Sequence, residues 1–131
     1  MMTKPATTLF VFAIYLILLG AALLVVPNAL LGLVGMPATT EVWIRIVGML
    51  VVFLGVYYVV AARINSLPFM EASVRLRGSV LLFFGAFVAL GLAPPVLLLF
   101  AAIDVLGALW THLSLRRELG GKPLDPAAAE G

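Results

Sequence analysis

Four apolar runs, each about twenty residues long, restrict what this chain can fold into. A helix rising about 1.5 Å per residue needs roughly 20 residues to cross about 30 Å of hydrocarbon. Thr8–Val26, Val42–Ala62, Val74–Leu92 and Val96–Leu115 each meet that length. The expected fold is therefore all-α, an integral membrane four-helix bundle within residues 1–118. Composition agrees: 64% of the 131 residues are hydrophobic and 11% charged, against about half and about a quarter in soluble domains. With no cysteine, disulfides, thiolate nucleophiles and sulfur-ligated metals are excluded.

Breakers separate the runs. Pro27 and Asn28 end the first, and Asn65, Ser66 and Pro68 divide the second from the third. Pro94 and Pro95 divide the third from the fourth. Thr39 and Thr40 are placed to cap the second span, with Glu41 in its first turn favoured by the helix dipole. The first run is expected to be a retained helix, since Pro27 would stand at −3 of a signal-peptidase cut at Ala29. The loop "NALLGLVGMP" (Asn28–Pro37) is too apolar for open solvent and is expected at the interface or folded back over the bundle. Residues 119–131 have the Gly, Pro and Ala content of a disordered tail.

Four spans put both termini and the loop between the second and third spans on one side. Lys4, Arg63, Arg75, Arg77, Arg116, Arg117 and Lys122 gather there, and Arg45 stands alone opposite. The positive-inside rule makes the crowded side cytoplasmic, the expected location being a bacterial inner membrane. The net charge of +2 thus serves topology, and no nucleic-acid partner is implied. Trp43, Trp110, Tyr57 and Tyr58 fit interfacial belts.

The second and third spans share a pattern. "EVWIRIVGMLVVFLG" (Glu41–Gly55) and "EASVRLRGSVLLFFG" (Glu71–Gly85) both read E-x3-R-x2-G-x4-F-x-G. Glu and Arg four apart share a helical face, and the glycines continue it. Small residues let a neighbouring backbone approach, so these two faces are expected to meet inside the bundle. Either an inverted duplication or shared packing demands would produce the pattern.

The fourth span carries Asp104 near its middle, where an ionised acid costs roughly 2.5–3.5 kcal/mol. Ala101, Asp104, Gly107, Ala108 and Thr111 form one stripe of small and polar side chains, so the acid is expected to face inward. Arg45 is the expected partner, shared with Glu41. The alternative is a neutral Asp104 hydrogen-bonded to Thr111 or Tyr15. The candidate site residues are Asp104, Arg45, Glu41, Glu71, Arg75, Thr111 and Tyr15. The chain has one histidine, His112, which excludes a multi-histidine metal site within it. No catalytic constellation is visible, so an enzyme is not the expected class.

The four spans, the "RIVGMLVVFLG" start of the second and the "IDVLGALWT" stretch of the fourth resemble small bacterial membrane proteins of the DoxX-like kind. The resemblance implies a four-helix bundle and, in some members, association with redox or quinone systems. It carries over no catalytic residue and does not include the Glu/Arg repeat. The expected function is a small membrane accessory or interaction protein with a buried polar network, its partners being the bilayer and another membrane protein or a second copy. The competing expectations are a proton-coupled transporter, with Asp104 as proton site and the two Glu/Arg pairs as gates, and a quinone- or lipid-binding redox subunit anchored by Asp104 and Tyr15. No cofactor is expected; a quinone or a lipid belongs to the last of these competing readings.

Overall fold

The computed structural model describes residues 2–119 as helices joined by short turns. The first, α1 (Lys4–Val25), starts where Thr3 Oγ1 accepts the Ala6 N–H at 3.3 Å, with proline in its first turn. After a break at Val26 comes α2 (Pro27–Leu33), a short helix that Gly35 ends at φ 74°. Three long helices follow: α3 (Trp43–Arg63), α4 (Leu67–Ala89) and α5 (Leu97–Leu119). Four of the helices are long and apolar enough to cross a membrane, the build of a multi-pass membrane protein. Their outward faces are apolar, with Leu18, Leu82 and Leu106 among the exposed large side chains.

The structure corrects the expected elements in three places. The segment Asn28–Pro37 contains a helix of its own, α2, so the described chain has five helices. Leu31 of that helix is buried, the folded-back arrangement its apolar sequence requires. The third span begins at Leu67 instead of Val74. Ser66 caps it by accepting the Phe69 N–H at 3.4 Å, and Pro68 falls in the first turn, where its missing N–H leaves no bond unmade. The threonine cap at the second span is absent: Val42 stands at that position without a side-chain bond. Glu41 lies outside α3, its N–H donating to Thr39 Oγ1 at 3.1 Å. The expected disordered tail lies outside the described residues apart from Leu119.

Turn chemistry sets the hairpins. At the end of α4 Gly91 takes φ 73°, the Leu92 N–H reaches the Phe87 carbonyl at 2.8 Å and the Gly91 N–H reaches Val88 at 3.1 Å. This is a glycine-terminated helix end, left-handed at the residue where a Cβ would be strained. Asn65 does the same for α3 at φ 51°, and its Oδ1 accepts the Thr3 N–H at 2.8 Å, tying the start of α1 to the α3–α4 turn.

Packing is uneven. The closest pairs are α1 with α3 and α4 with α5, and α1 against α5 joins the two pairs. Helices α3 and α4 are consecutive, yet they barely touch. Near their shared turn the Tyr58 and Phe69 rings stand edge to face at 5.0 Å, and Arg77 of α4 reaches to 5.8 Å from the Tyr58 ring. The four long helices thus run α3, α1, α5, α4 around an arc whose open side lies between α3 and α4.

The α1–α3 contact is made of glycine. A Cβ on Gly48 would lie 2.6 Å from Leu24 N and 2.7 Å from Gly20 O, and one on Gly55 would lie 2.7 Å from Ile17. The expected packing face of α3 is therefore real. The matching face of α4 is not: a Cβ on Gly78 or Gly85 would meet nothing within 4 Å. The two patterned faces do not meet, because α3 spends its glycines on α1 while α4 turns Ser73 and Arg77 inward instead.

A cavity with one polar end

The arc encloses a cavity of about 520 Å³, within the roughly 300–1,000 Å³ of ordinary ligand pockets. All four long helices and α2 contribute to it. Most of the lining is aliphatic or aromatic, including Leu19, Val47, Val51, Val80, Phe84 and Phe100. Leu30 and Leu31 of α2, with Val34 and Met36 after it, cover the end away from the α3–α4 turn. The polar contributors are Asp104, Arg77, Tyr15 and Tyr58.

Arg77 organises the polar end. It stands ten residues after Leu67, about 15 Å along α4, and is only 3% exposed. Its Nε donates to the Ser73 carbonyl at 3.3 Å, and its Nη2 to Ser73 Oγ at 3.3 Å and Thr111 Oγ1 at 3.0 Å. Thr111 Oγ1 also shares a 2.8 Å bond with Thr8 Oγ1 of α1. Two fully or nearly buried threonines and a buried serine therefore link α1, α4 and α5 through one guanidinium. The guanidinium lies over the Phe12 ring at 4.5 Å and near the Tyr58 ring at 5.8 Å. Such a contact is worth about 2 kcal/mol or more when desolvated. Nη1 is the remaining donor. It is shielded from solvent and has no hydrogen-bond partner among the described residues, with room to lie against α5 because Gly107 has no side chain.

Asp104 occupies α5 one turn before Gly107 and lines the same cavity. Its stripe faces inward as expected: Ala101, Ala108 and Thr111 are buried, whereas Leu106 and Leu109 are exposed. Among the described residues Asp104 forms no ion pair and no hydrogen bond. The other ionisable groups that line the cavity with it are Arg77, Tyr15 and Tyr58. The neutral-acid alternative, a bond to Thr111 or Tyr15, is not formed: Thr111 is engaged by Thr8 and Arg77, while Tyr15 lines the cavity with Asp104.

The expected Asp104–Arg45 contact is overturned. Arg45 is exposed, and its Nη1 donates to the Leu24 carbonyl at 2.7 Å, with Val25 at 3.5 Å. Those carbonyls belong to the last turn of α1, which has no further turn to bond them, and that demand wins over a distant acid. Replacing Arg45 with methionine should cost about 1 kcal/mol of stability, the worth of a terminal hydrogen bond. It should be additive with Asp104→Asn in a double-mutant cycle of detergent-unfolding midpoints. A coupling above about 0.5 kcal/mol would restore the pairing.

Neither Glu/Arg pair faces the cavity. Glu41 and Arg45 make no ion pair, and Glu71–Arg75 is an exposed bridge of 2.7 Å with Arg75 76% exposed. Tyr58 is buried between Phe12 and Phe69 and so is no belt residue, whereas Trp43, Trp110 and Tyr57 are exposed.

Arg77 is the functional candidate that the sequence puts in the wrong class, among the charges at the cytoplasmic margin. The signal was present in "NSLPF". A serine followed two residues later by proline starts a helix there, which carries Arg77 almost three turns inside. The chain matches no family model, no curated protein and no solved structure.

Proposed function

We propose that this chain is a multi-pass protein of a bacterial inner membrane that binds an amphiphilic molecule drawn from the bilayer. Both termini lie in the cytoplasm, and the chain serves as an accessory to the system using that molecule. The observation carrying this reading is the cavity, apolar along its length with its charged groups at one end. A tail held by Leu, Val and Phe and a head at Arg77 and Asp104 suit a lipid or a quinone. The gap between α3 and α4 offers entry from the membrane side. For topology, Lys4, Arg63, Arg116 and Arg117 flank the end near the α3–α4 turn, with Arg45 opposite, so moving Arg77 into the interior leaves the orientation argument intact. The DoxX-like resemblance and a second membrane protein or second copy as partner belong to the same proposal.

Tryptophan at Val51 or Val80, on opposite walls, fills the cavity from either side. In lipid nanodiscs carrying a photoreactive alkyl-tail probe, wild type should crosslink at cavity residues. Each tryptophan variant should lose most of that labelling, about fivefold or more, in line with roughly 1 kcal/mol or more of overpacking. Unchanged labelling in both variants, with wild-type helix content, would remove the cavity from the function.

A further inference from the structure

Two contacts fix how α1 and α5 face each other. Thr8 Oγ1 lies 2.8 Å from Thr111 Oγ1, and one turn further into the bundle a Cβ on Gly107 would lie 3.0 Å from the Phe12 ring. A step up α1 thus matches a step back along α5, so the two helices run antiparallel. Three residues beyond Phe12 stands Tyr15, and three before Gly107 stands Asp104. From the threonines each lies almost two whole turns on, about 10 Å of rise, so Tyr15 and Asp104 share one level and the facing sides of the two helices. Both line the cavity, and neither makes a hydrogen bond among the described residues. Arg77 Nη1 is the one unpartnered side-chain polar atom there that is closed off from open space. The Tyr15 hydroxyl and the Asp104 carboxylate are therefore open where they line the cavity. Polar groups inside a fold are normally satisfied, so this facing pair describes what is to be bound.

We propose that Tyr15 and Asp104 together hold the hydroxyl head of a lipophile, Tyr15 donating to its oxygen and Asp104 accepting from its O–H. The inference rests on the cavity being a binding site for lipophiles and names the heads it takes. An ionised carboxylate only accepts, whereas a phenol donates and accepts. An ether, ester or ketone head satisfies Tyr15 but leaves Asp104 desolvated and unpaired, which is the costly outcome. A hydroxyl satisfies both with one oxygen. Arg77 has no donor to add: Nε and Nη2 are spent on Ser73 and Thr111, and Nη1 lies closed off near Gly107 and Phe12. Tyr58 packs on Phe12 and Phe69, on the side of the α3–α4 turn, and so floors the site. One turn in the other direction, Leu19 and Phe100 begin the apolar stretch for the tail, which Leu31 of α2 closes.

A primary alcohol and a methyl ether, matched in heavy atoms and carrying the same photoreactive alkyl tail, separate a head that donates from one that only accepts. Both are given to the full chain in phosphatidylcholine nanodiscs at mildly alkaline pH, with crosslinks mapped by mass spectrometry. Cavity labelling is read relative to the outward-facing Leu82 and Leu106, so that unequal partition into the bilayer cancels. The alcohol should label the cavity about tenfold more than the ether, a difference of roughly 1.4 kcal/mol. Asp104→Asn keeps the side-chain size and supplies an amide that can donate to the ether, so the excess should fall to about twofold or less. Tyr15→Phe removes a donor that both heads use, so both probes should label severalfold less with their ratio kept. The wild-type ratio tests the proposal by itself if either variant fails to fold. Equal labelling by the two probes in wild type, or an excess that survives Asp104→Asn, overturns the proposal while leaving the cavity a lipophile site. A Tyr15→Phe variant that labels as wild type does with both probes overturns the paired grip. No cavity labelling by either probe removes the proposal and the cavity function together.

Discussion

Arg77→Met should lower the unfolding free energy by about 3 kcal/mol, the scale on which removing one member of a buried charge couple destabilises. Three contacts go with the guanidinium: its bonds to Ser73, its bond to Thr111 and its stacking on Phe12. The larger part of the loss comes from Asp104, which then has no compensating cation inside the bundle. The double variant Arg77→Met/Asp104→Asn should therefore recover more than half of the loss. Thr8 and Thr111 still satisfy each other at 2.8 Å in both variants, so they do not confuse the comparison. Stability is measured as the midpoint of unfolding in denaturing detergent. If the double variant is no more stable than Arg77→Met, the charge balance is not what Arg77 supplies.

The second large effect separates two identical patterns. Gly48→Val on α3 should cost about 3 kcal/mol or more, the upper range for forced overpacking, because the new Cβ meets the backbone of Leu24 and Gly20 at 2.6 and 2.7 Å. Backbone cannot move aside as a side-chain tip can. Gly78→Val occupies the equivalent place in α4, where nothing lies within 4 Å, and should stay within about 0.5 kcal/mol of wild type. Equal losses at both positions would mean that the α4 face is covered in the membrane. Equal tolerance would mean that α1 and α3 are not in backbone contact.

That contrast shows how much the sequence can tell. Hydropathy locates four spans because hydrocarbon imposes a length, and Pro27, Asn65 and the Gly91–Pro95 region mark their ends well. Residue spacing also orients α5, since Asp104 shares a narrow stripe with Ala101, Ala108 and Thr111. Partner choice is different. The E-x3-R-x2-G pattern says that a face can pack, but not whether another helix is there, and Gly48 and Gly78 end in opposite surroundings. Arg45 is the single base on its side and by length within reach of Asp104, but unsatisfied carbonyls on α1 claim it. Arg77 is hidden by a boundary error of seven residues: with α4 begun at Val74 it is an end residue, and with α4 begun at Leu67 it is central. Pro68 separates those two outcomes, as a proline can either stop a helix or sit in its first turn.

The arc of helices also has a mechanical consequence. Pairs α1/α3 and α4/α5 are two leaves, and the α1–α5 seam is their spine. The Thr8–Thr111 bond pins that spine beside Arg77, and the Tyr58–Phe69 contact holds the leaves together at the foot. The direction of least resistance is thus a spreading of the far edges of α3 and α4, which breaks neither glycine packing nor the buried bonds. Cavity width and the spacing of its charged groups are set by separate parts of the molecule. Opening the leaves widens the cavity while Arg77 and Asp104, both on the α4/α5 leaf, keep their spacing.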